Sequence, residues 1–187
     1  MPRPNWFLAF PIDGAFVLEL PALPSHFRRF HPDDVHLTLA FLGGSSEPAA
    51  LQALGALDER LAATPLPAID VSLGEVVPMG GSRRSYTALS ALLEHGRAET
   101  TATIAALRGR LLEAAAARPD LRTPKPHVSI ARPRRQATDA ERAAALTWAA
   151  ALDLRHVTAK LDRVALYTWH DARHERLFRV VAERRLA

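Results

Sequence analysis

Residues 35–43 read VHLTLAFLG. Side chains along a β-strand alternate between two faces. This stretch therefore presents Leu37, Leu39 and Phe41 on one face and His36, Thr38 and Ala40 on the other. The first face is core. The second carries an imidazole, a hydroxyl and a small residue, the pattern of a cleft floor. The same spacing returns in HVSIAR, residues 127–132. There His127, Ser129 and Ala131 share one face, and Val128 and Ile130 share the other. A third His-x-[Ser/Thr] occurs at His156, in HVTA, with Lys160 and Asp162 following on its polar side. That one reads as a solvated strand face. The bare spacing is weak; what distinguishes the first two is that each sits on a short strand in a comparable place in its half of the chain.

The elements around these strands alternate. Residues 5–12 (NWFLAFPI) form a buried strand, and 14–30 mix helical periodicity with prolines, so only a short or broken helix is expected there. Ser46 caps a helix with Pro48 in its first turn, running to about residue 63. Residues 68–77 alternate as a strand, PMGGSRRS is a loop, and SYTALSALL is the next strand. Residues 97–118 make the longest helical pattern, ended by Pro119. Thr138 caps a helix over 138–150. Residues 156–168 and 174–184 alternate as two closing strands joined by WHDARH. The order strand, helix, strand, helix, strand is thus run through about twice, an internal duplication visible in organisation rather than in letters.

The 187 residues are enough to bury a real core, and 48% apolar content argues against disorder. Without cysteine, disulfides, zinc–thiolate sites, iron–sulfur clusters and cysteine nucleophiles are excluded; a reducing cytoplasm is compatible. No run of 18 apolar residues predicts a transmembrane helix. Pro11 and Asp13 interrupt the apolar N-terminal stretch, which makes a poor signal peptide. The formal net charge is +4, and 22 of the 24 basic residues are arginine. Guanidinium forks match phosphate geometry, which suits a phosphate-bearing partner, although an arginine-biased composition writes the same signal.

Two facing imidazoles have a direct chemical use. The neutral one takes a proton from an attacking hydroxyl or water, and the charged one gives a proton to a leaving oxygen. Both states are available near neutral pH. The hydroxyls of Thr38 and Ser129 would hold non-bridging phosphate oxygens. Such a site needs no metal and no cofactor.

On these motifs the chain resembles the two-histidine (2H) phosphoesterases, and within them the RNA 2',3'-cyclic phosphodiesterases, also called 2'-5' RNA ligases. The matching stretches are WFLAFPID, DDVHLTLAFLGG, VSLGEVVP, PKPHVSIAR and LDRVALYTW, in the family's order over nearly the whole chain. Ser129 departs from the usual threonine but keeps the hydroxyl. The resemblance implies one bilobal α+β domain over residues 1–187, two pseudo-symmetric antiparallel sheets with outer helices forming a central groove. It also implies opening of a 2',3'-cyclic phosphate at an RNA end to a 2'-phosphate, with His36 and His127 catalytic and ligation as the reverse direction. Which histidine is acid and which is base stays open at this point.

Further residues are candidates for holding substrate. Arg132, where the family carries an arginine, would contact phosphate or stack on a base. Phe41 falls on the core face by strict alternation; a bulge at Gly43–Gly44 would let it line a base pocket. Lys125 stands two residues before His127 and is a phosphate candidate. Arg83 and Arg84 suit an RNA backbone or a plain surface loop. Tyr86 and Trp6 are stacking candidates that more often belong to cores. His170 and His174 are spaced i, i+4, which means little in a hairpin connection; His26, His31 and His95 read as surface or capping residues. Three rivals remain: a cyclic phosphodiesterase acting on small nucleotides, an RNA-binding module without turnover, and a metal-dependent hydrolase, which lacks a coherent ligand set. The partners expected are RNA or a small cyclic nucleotide, with no membrane, for a cytoplasmic monomer.

Overall fold

Trp6–Pro11 (β1) is apolar on both faces, and it lies inside the sheet, with strands on either side of it. The computed structural model describes residues 3–82 and 84–187. After β1 come β2 (Phe27–Arg29), β3 (His36–Gly43), α1 (Glu47–Ala63), β4 (Ile69–Met79), β5 (Ala88–His95), α2 (Arg97–Ala114), β6 (His127–Pro133), α3 (Asp139–Ala150), β7 (Thr158–Leu161), β8 (Arg163–Trp169) and β9 (Phe178–Arg185). The strands pair antiparallel in the order β7-β4-β5-β6-β3-β1-β8-β9, with β2 added on β6. This is the bilobal α+β architecture that the resemblance implies, with the two expected sheets joined into one nine-stranded sheet. Its two halves, β7-β4-β5-β6 and β3-β1-β8-β9, meet at a single bridging pair, Leu37 opposite Val128.

The sheet curls strongly. β7 and β8 follow one another in the chain, yet β7 is an edge strand and β8 lies next to the other edge. Asp162 is the joint between them, so the strand expected over 156–168 is two strands. The ends of the curl are stitched by backbone bonds: Leu186 N–H to Asp162 O (2.7 Å), Ala187 N–H to Leu66 O (2.9 Å) and Ala68 N–H to Ala187 O (3.0 Å).

Side-chain alternation divides the interior in two. Trp6, Leu8 and Phe10 of β1, with Val164 and Leu166 of β8, join the main core with the buried faces of the three helices. Phe7, Ala9, Ala165 and Tyr167, from the same strands, form a second small cluster on the opposite face.

The helix ends follow local chemistry. Ser46 accepts from Ala49 N–H, and Thr138 forms a reciprocal capping box with Glu141. Helix α2 stops at Ala114 rather than continuing to residue 118. Ala116 takes a left-handed φ of 48°, and Ala117 N–H donates to Leu112 O (2.8 Å), so the chain turns before Pro119 is reached. Between β1 and β2 the ambiguous segment contributes one 3-10 turn at Ala15–Leu18.

Candidate active site

The site is built on the seam between β3 and β6. With Leu37 opposite Val128, antiparallel register sets His36 across from Ser129 and His127 across from Thr38. The two motifs therefore meet as a pseudo-symmetric pair.

Both strands break their alternation at the same motif position. In β3, Thr38 faces Ala9 and Ala40 faces Leu8, so Leu39 is an extra residue. In β6, Ser129 faces Ser90 and Ala131 faces Leu89, so Ile130 is extra. Each is a β-bulge, and each reverses the faces of the residues after it. Ala40 and Ala131, expected on the groove face, are fully buried in the main core. Phe41, expected on the core face, is 56% exposed. The bulge that turns Phe41 outward falls at Leu39, and a second register shift follows at Leu42, beside the glycines where the sequence allowed for one. Phe41 and Arg132 thus occupy equivalent places, five residues after their histidines.

The two imidazoles are anchored alike. His36 Nδ1 lies 2.7 Å from Asp34 O, and His127 Nδ1 lies 2.7 Å from Lys125 O. A carbonyl only accepts, so in each ring Nδ1 carries a proton and Nε2 is the nitrogen left to exchange one with substrate. Lys125 serves the site here through its backbone; its side chain is exposed. The ring of His36 packs on the second cluster, with centroids 4.8 Å from Phe7 and 5.5 Å from Tyr167, and 5.5 Å edge-on to Phe178. Burial there pushes the His36 imidazole down to about 4; nearby His127 adds to that, and the Asp34 carbonyl and carboxylate oppose it. His36 is therefore neutral in the free protein at pH 7.

Two residues that the sequence reading passed over support this arrangement. Asp34 is 1% exposed, and its carboxylate accepts from Leu177 N–H (2.7 Å) and Phe178 N–H (2.9 Å). It ties the start of β9, and with it Phe178, against His36. Ser90, fully buried on β5, has its Oγ 2.9 Å from Ser129 Oγ. The signal for Asp34 was its place in DDVH, two residues before the histidine; Ser90 had none, because strand pairing selects it.

Because β3 and β6 run antiparallel, their continuations leave the histidine pair in opposite directions. At one end, Phe41, Leu42 and Gly43 face the 118–122 loop across a cleft of about 820 Å³. At the other, Arg132 lines a cleft of about 640 Å³. The remaining candidates fall elsewhere. His156 is exposed in the turn before β7, three strands from β6. Trp6 and Tyr86 are buried, and Tyr86 donates to Arg142 O (2.9 Å). His170 and His174 lie in the β8–β9 connection, where His170 Nδ1 accepts from Ala172 N–H. His31 caps the turn before β3, and His95 is exposed. His26 is exposed but paired, its Nδ1 2.6 Å from Glu141 Oε1. Arg84 is exposed in the β4–β5 loop, and Arg83 lies outside the described residues. Among the described residues no helix is long and apolar enough to cross a membrane.

A curled antiparallel sheet with a histidine and a hydroxyl from each half on one seam defines a two-histidine phosphoesterase. The family model of the 2'-5' RNA ligase superfamily matches residues 21–173, and the chain belongs to that family. No curated protein matches it. Solved structures share the fold at low identity. LigT of E. coli complexed with 3'-AMP is 18% identical, with a TM-score of 0.69 and 99% of each chain covered. TT0787 of Thermus thermophilus is 19% identical, with a TM-score of 0.66 and 97% of each chain covered. Usb1 of Kluyveromyces marxianus is 15% identical, with a TM-score of 0.52, covering 87% of this chain and 92% of its own.

Proposed function

We propose that this chain is a phosphodiesterase that opens 2',3'-cyclic phosphate ends of RNA to 2'-phosphates without metal. The observation that carries the reading is the matched pair of imidazoles, each fixed through Nδ1 and each leaving Nε2 for proton transfer. A water oxygen attacks phosphorus in line with O3', and the P–O3' bond breaks. One imidazole takes the water's proton, and the other, as imidazolium, delivers a proton to O3'. The product keeps phosphate on O2'. The reverse direction joins the cyclic end to a 5'-hydroxyl in a 2'-5' bond. Thr38 and Ser129, across the seam from the opposite histidine, supply hydroxyls to the non-bridging oxygens, and Ser90 orients that of Ser129. Exposed Phe41 offers a face on which the terminal base stacks, while Arg132 and the Lys125 side chain supply charge toward phosphate. A cytoplasmic setting fits this work.

The test is a short RNA ending in a 2',3'-cyclic phosphate, incubated with EDTA and resolved against 2'- and 3'-phosphate standards. A 2'-phosphate product is expected. A 3'-phosphate, or turnover that EDTA abolishes, overturns the reading. Turnover of a nucleoside 2',3'-cyclic phosphate but not of RNA replaces it with a small-nucleotide activity.

A further inference from the structure

The cleft at the Arg132 end of the seam is lined by Arg28, Arg132, Arg134, Arg135 and Arg142, with Tyr86 beneath Arg142. No carboxylate among the described residues lines it. Arg28 and Arg132 face each other directly across β2 and β6. Like charges opposite one another on a sheet destabilise it, and Arg28 is further disfavoured as a cation by its burial and by nearby Arg134 and Arg173, with the Asp34 carboxylate only partly opposing them.

Arginine is abundant in this chain, so a cluster needs a comparison. Among the described residues outside the cleft, Arg108, Arg110, Arg122, Arg155, Arg163, Arg176 and Arg184 each reach a carboxylate within 4.0 Å, while other arginines scattered over the surface do not. Among the described residues, the five in this cleft form no ion pair with an acid. What sets these five apart is that they share one cleft, at one end of the groove, with no carboxylate among the described residues of its lining.

We propose that this cleft is an extended phosphate site that binds the sugar–phosphate backbone of an RNA strand beyond the nucleotide being processed. The proposal rests on the function proposed above and names its substrate class: an oligonucleotide rather than a mononucleotide. Five residues of strand separate His127 from Arg132, roughly 15 Å at the usual rise per residue. Arg134 and Arg135 lie further along. A single nucleotide with its base on Phe41 extends toward the opposite end of the groove, whereas a strand laid along the groove reaches this cleft as well. Guanidinium forks bind phosphate oxygens at each step.

The probe is an RNA of about ten nucleotides already carrying a terminal 2'-phosphate, which binds without turnover. Its affinity is measured across a salt series for wild type, Arg134→Gln/Arg135→Gln and Arg28→Gln. Both substituted residues of the double variant are exposed, so the core is untouched. The double variant should bind about tenfold or more weakly, with a salt slope smaller by about 0.7 for each phosphate no longer neutralised. It should still hydrolyse a nucleoside 2',3'-cyclic phosphate at the wild-type rate. Arg28→Gln should weaken RNA binding while leaving thermal stability unchanged or raised, because it relieves the cross-strand repulsion; an arginine kept for the fold would lower it. Unchanged affinity and salt slope in the double variant would overturn the proposal, as would an equal loss of mononucleotide turnover. Competition of the RNA by inorganic phosphate at equal phosphate concentration would also overturn it, leaving a small-anion site. If wild type hydrolyses neither the mononucleotide nor the RNA end, the function proposed above fails instead.

Discussion

At the scale of single residues, the proposed chemistry rests on two rings, each held through Nδ1 by a carbonyl two residues upstream. His36→Ala and His127→Ala should each lower kcat by about 10²–10⁴. The double variant should be little worse than either alone, because the proposed mechanism uses both in one step. Steady-state kinetics on a cyclic-phosphate RNA check this, with His156→Ala as the control: exposed before β7, it should behave as wild type. Ser90 gives a sharper test. It sits behind Ser129, and in the proposed mechanism its effect passes through that hydroxyl. Ser90→Ala should lower kcat in the same direction as Ser129→Ala, by a smaller factor. Combining the two should cost no more than Ser129→Ala alone. Additive losses would mean that the serine pair is a packing contact.

At the scale of elements, the bulges decide what the groove displays. Phe41→Ala removes an exposed ring, so folding stability should hold within about 0.5 kcal/mol. KM for a cyclic-phosphate nucleotide should rise while kcat changes less; a large drop in melting temperature would return Phe41 to the core. The histidines, their hydroxyls and most elements were legible because period-2 patterning, caps and prolines speak locally. The faces of Ala40, Phe41 and Ala131 were not, because a bulge is fixed by the register of the neighbouring strand. The same limit hid the break at Asp162, where a run that alternates throughout changes partners. The early end of α2 was hidden for another reason: Ala116 adopts a backbone conformation that glycine signals and alanine does not. Ala116→Gly should relieve that cost, stabilising the protein by up to about 1 kcal/mol, or about 2–4 °C in Tm. Thermal unfolding of the variant checks it.

At the scale of the whole molecule, the site and the stability of the fold are linked through the proton. The His36 imidazole has a folded pKa of about 4, below its ordinary 6.5, because the fold wedges it among Phe7, Tyr167 and Phe178. Between those values the unfolded chain binds a proton that the folded chain does not. The unfolded state therefore gains on acidification, and stability present at pH 7 is lost as pH falls from about 6.5 through about 4. At about 1.4 kcal/mol per pKa unit, the effect amounts to a few kcal/mol at most. The carboxylates held low by their partners, Asp120, Glu141 and Asp153, begin to lose theirs only below their ordinary values of 3.8 to 4.5. Of these shifted groups, His36 is the one whose loss falls between pH 6.5 and 4.5. Urea unfolding of wild type should show stability declining across that window, and His36→Gln, which cannot titrate, should flatten the decline. An equal slope in both proteins would show that the aromatic floor under His36 does not hold the ring neutral. An NMR titration of the ring should then find its midpoint near 6.5.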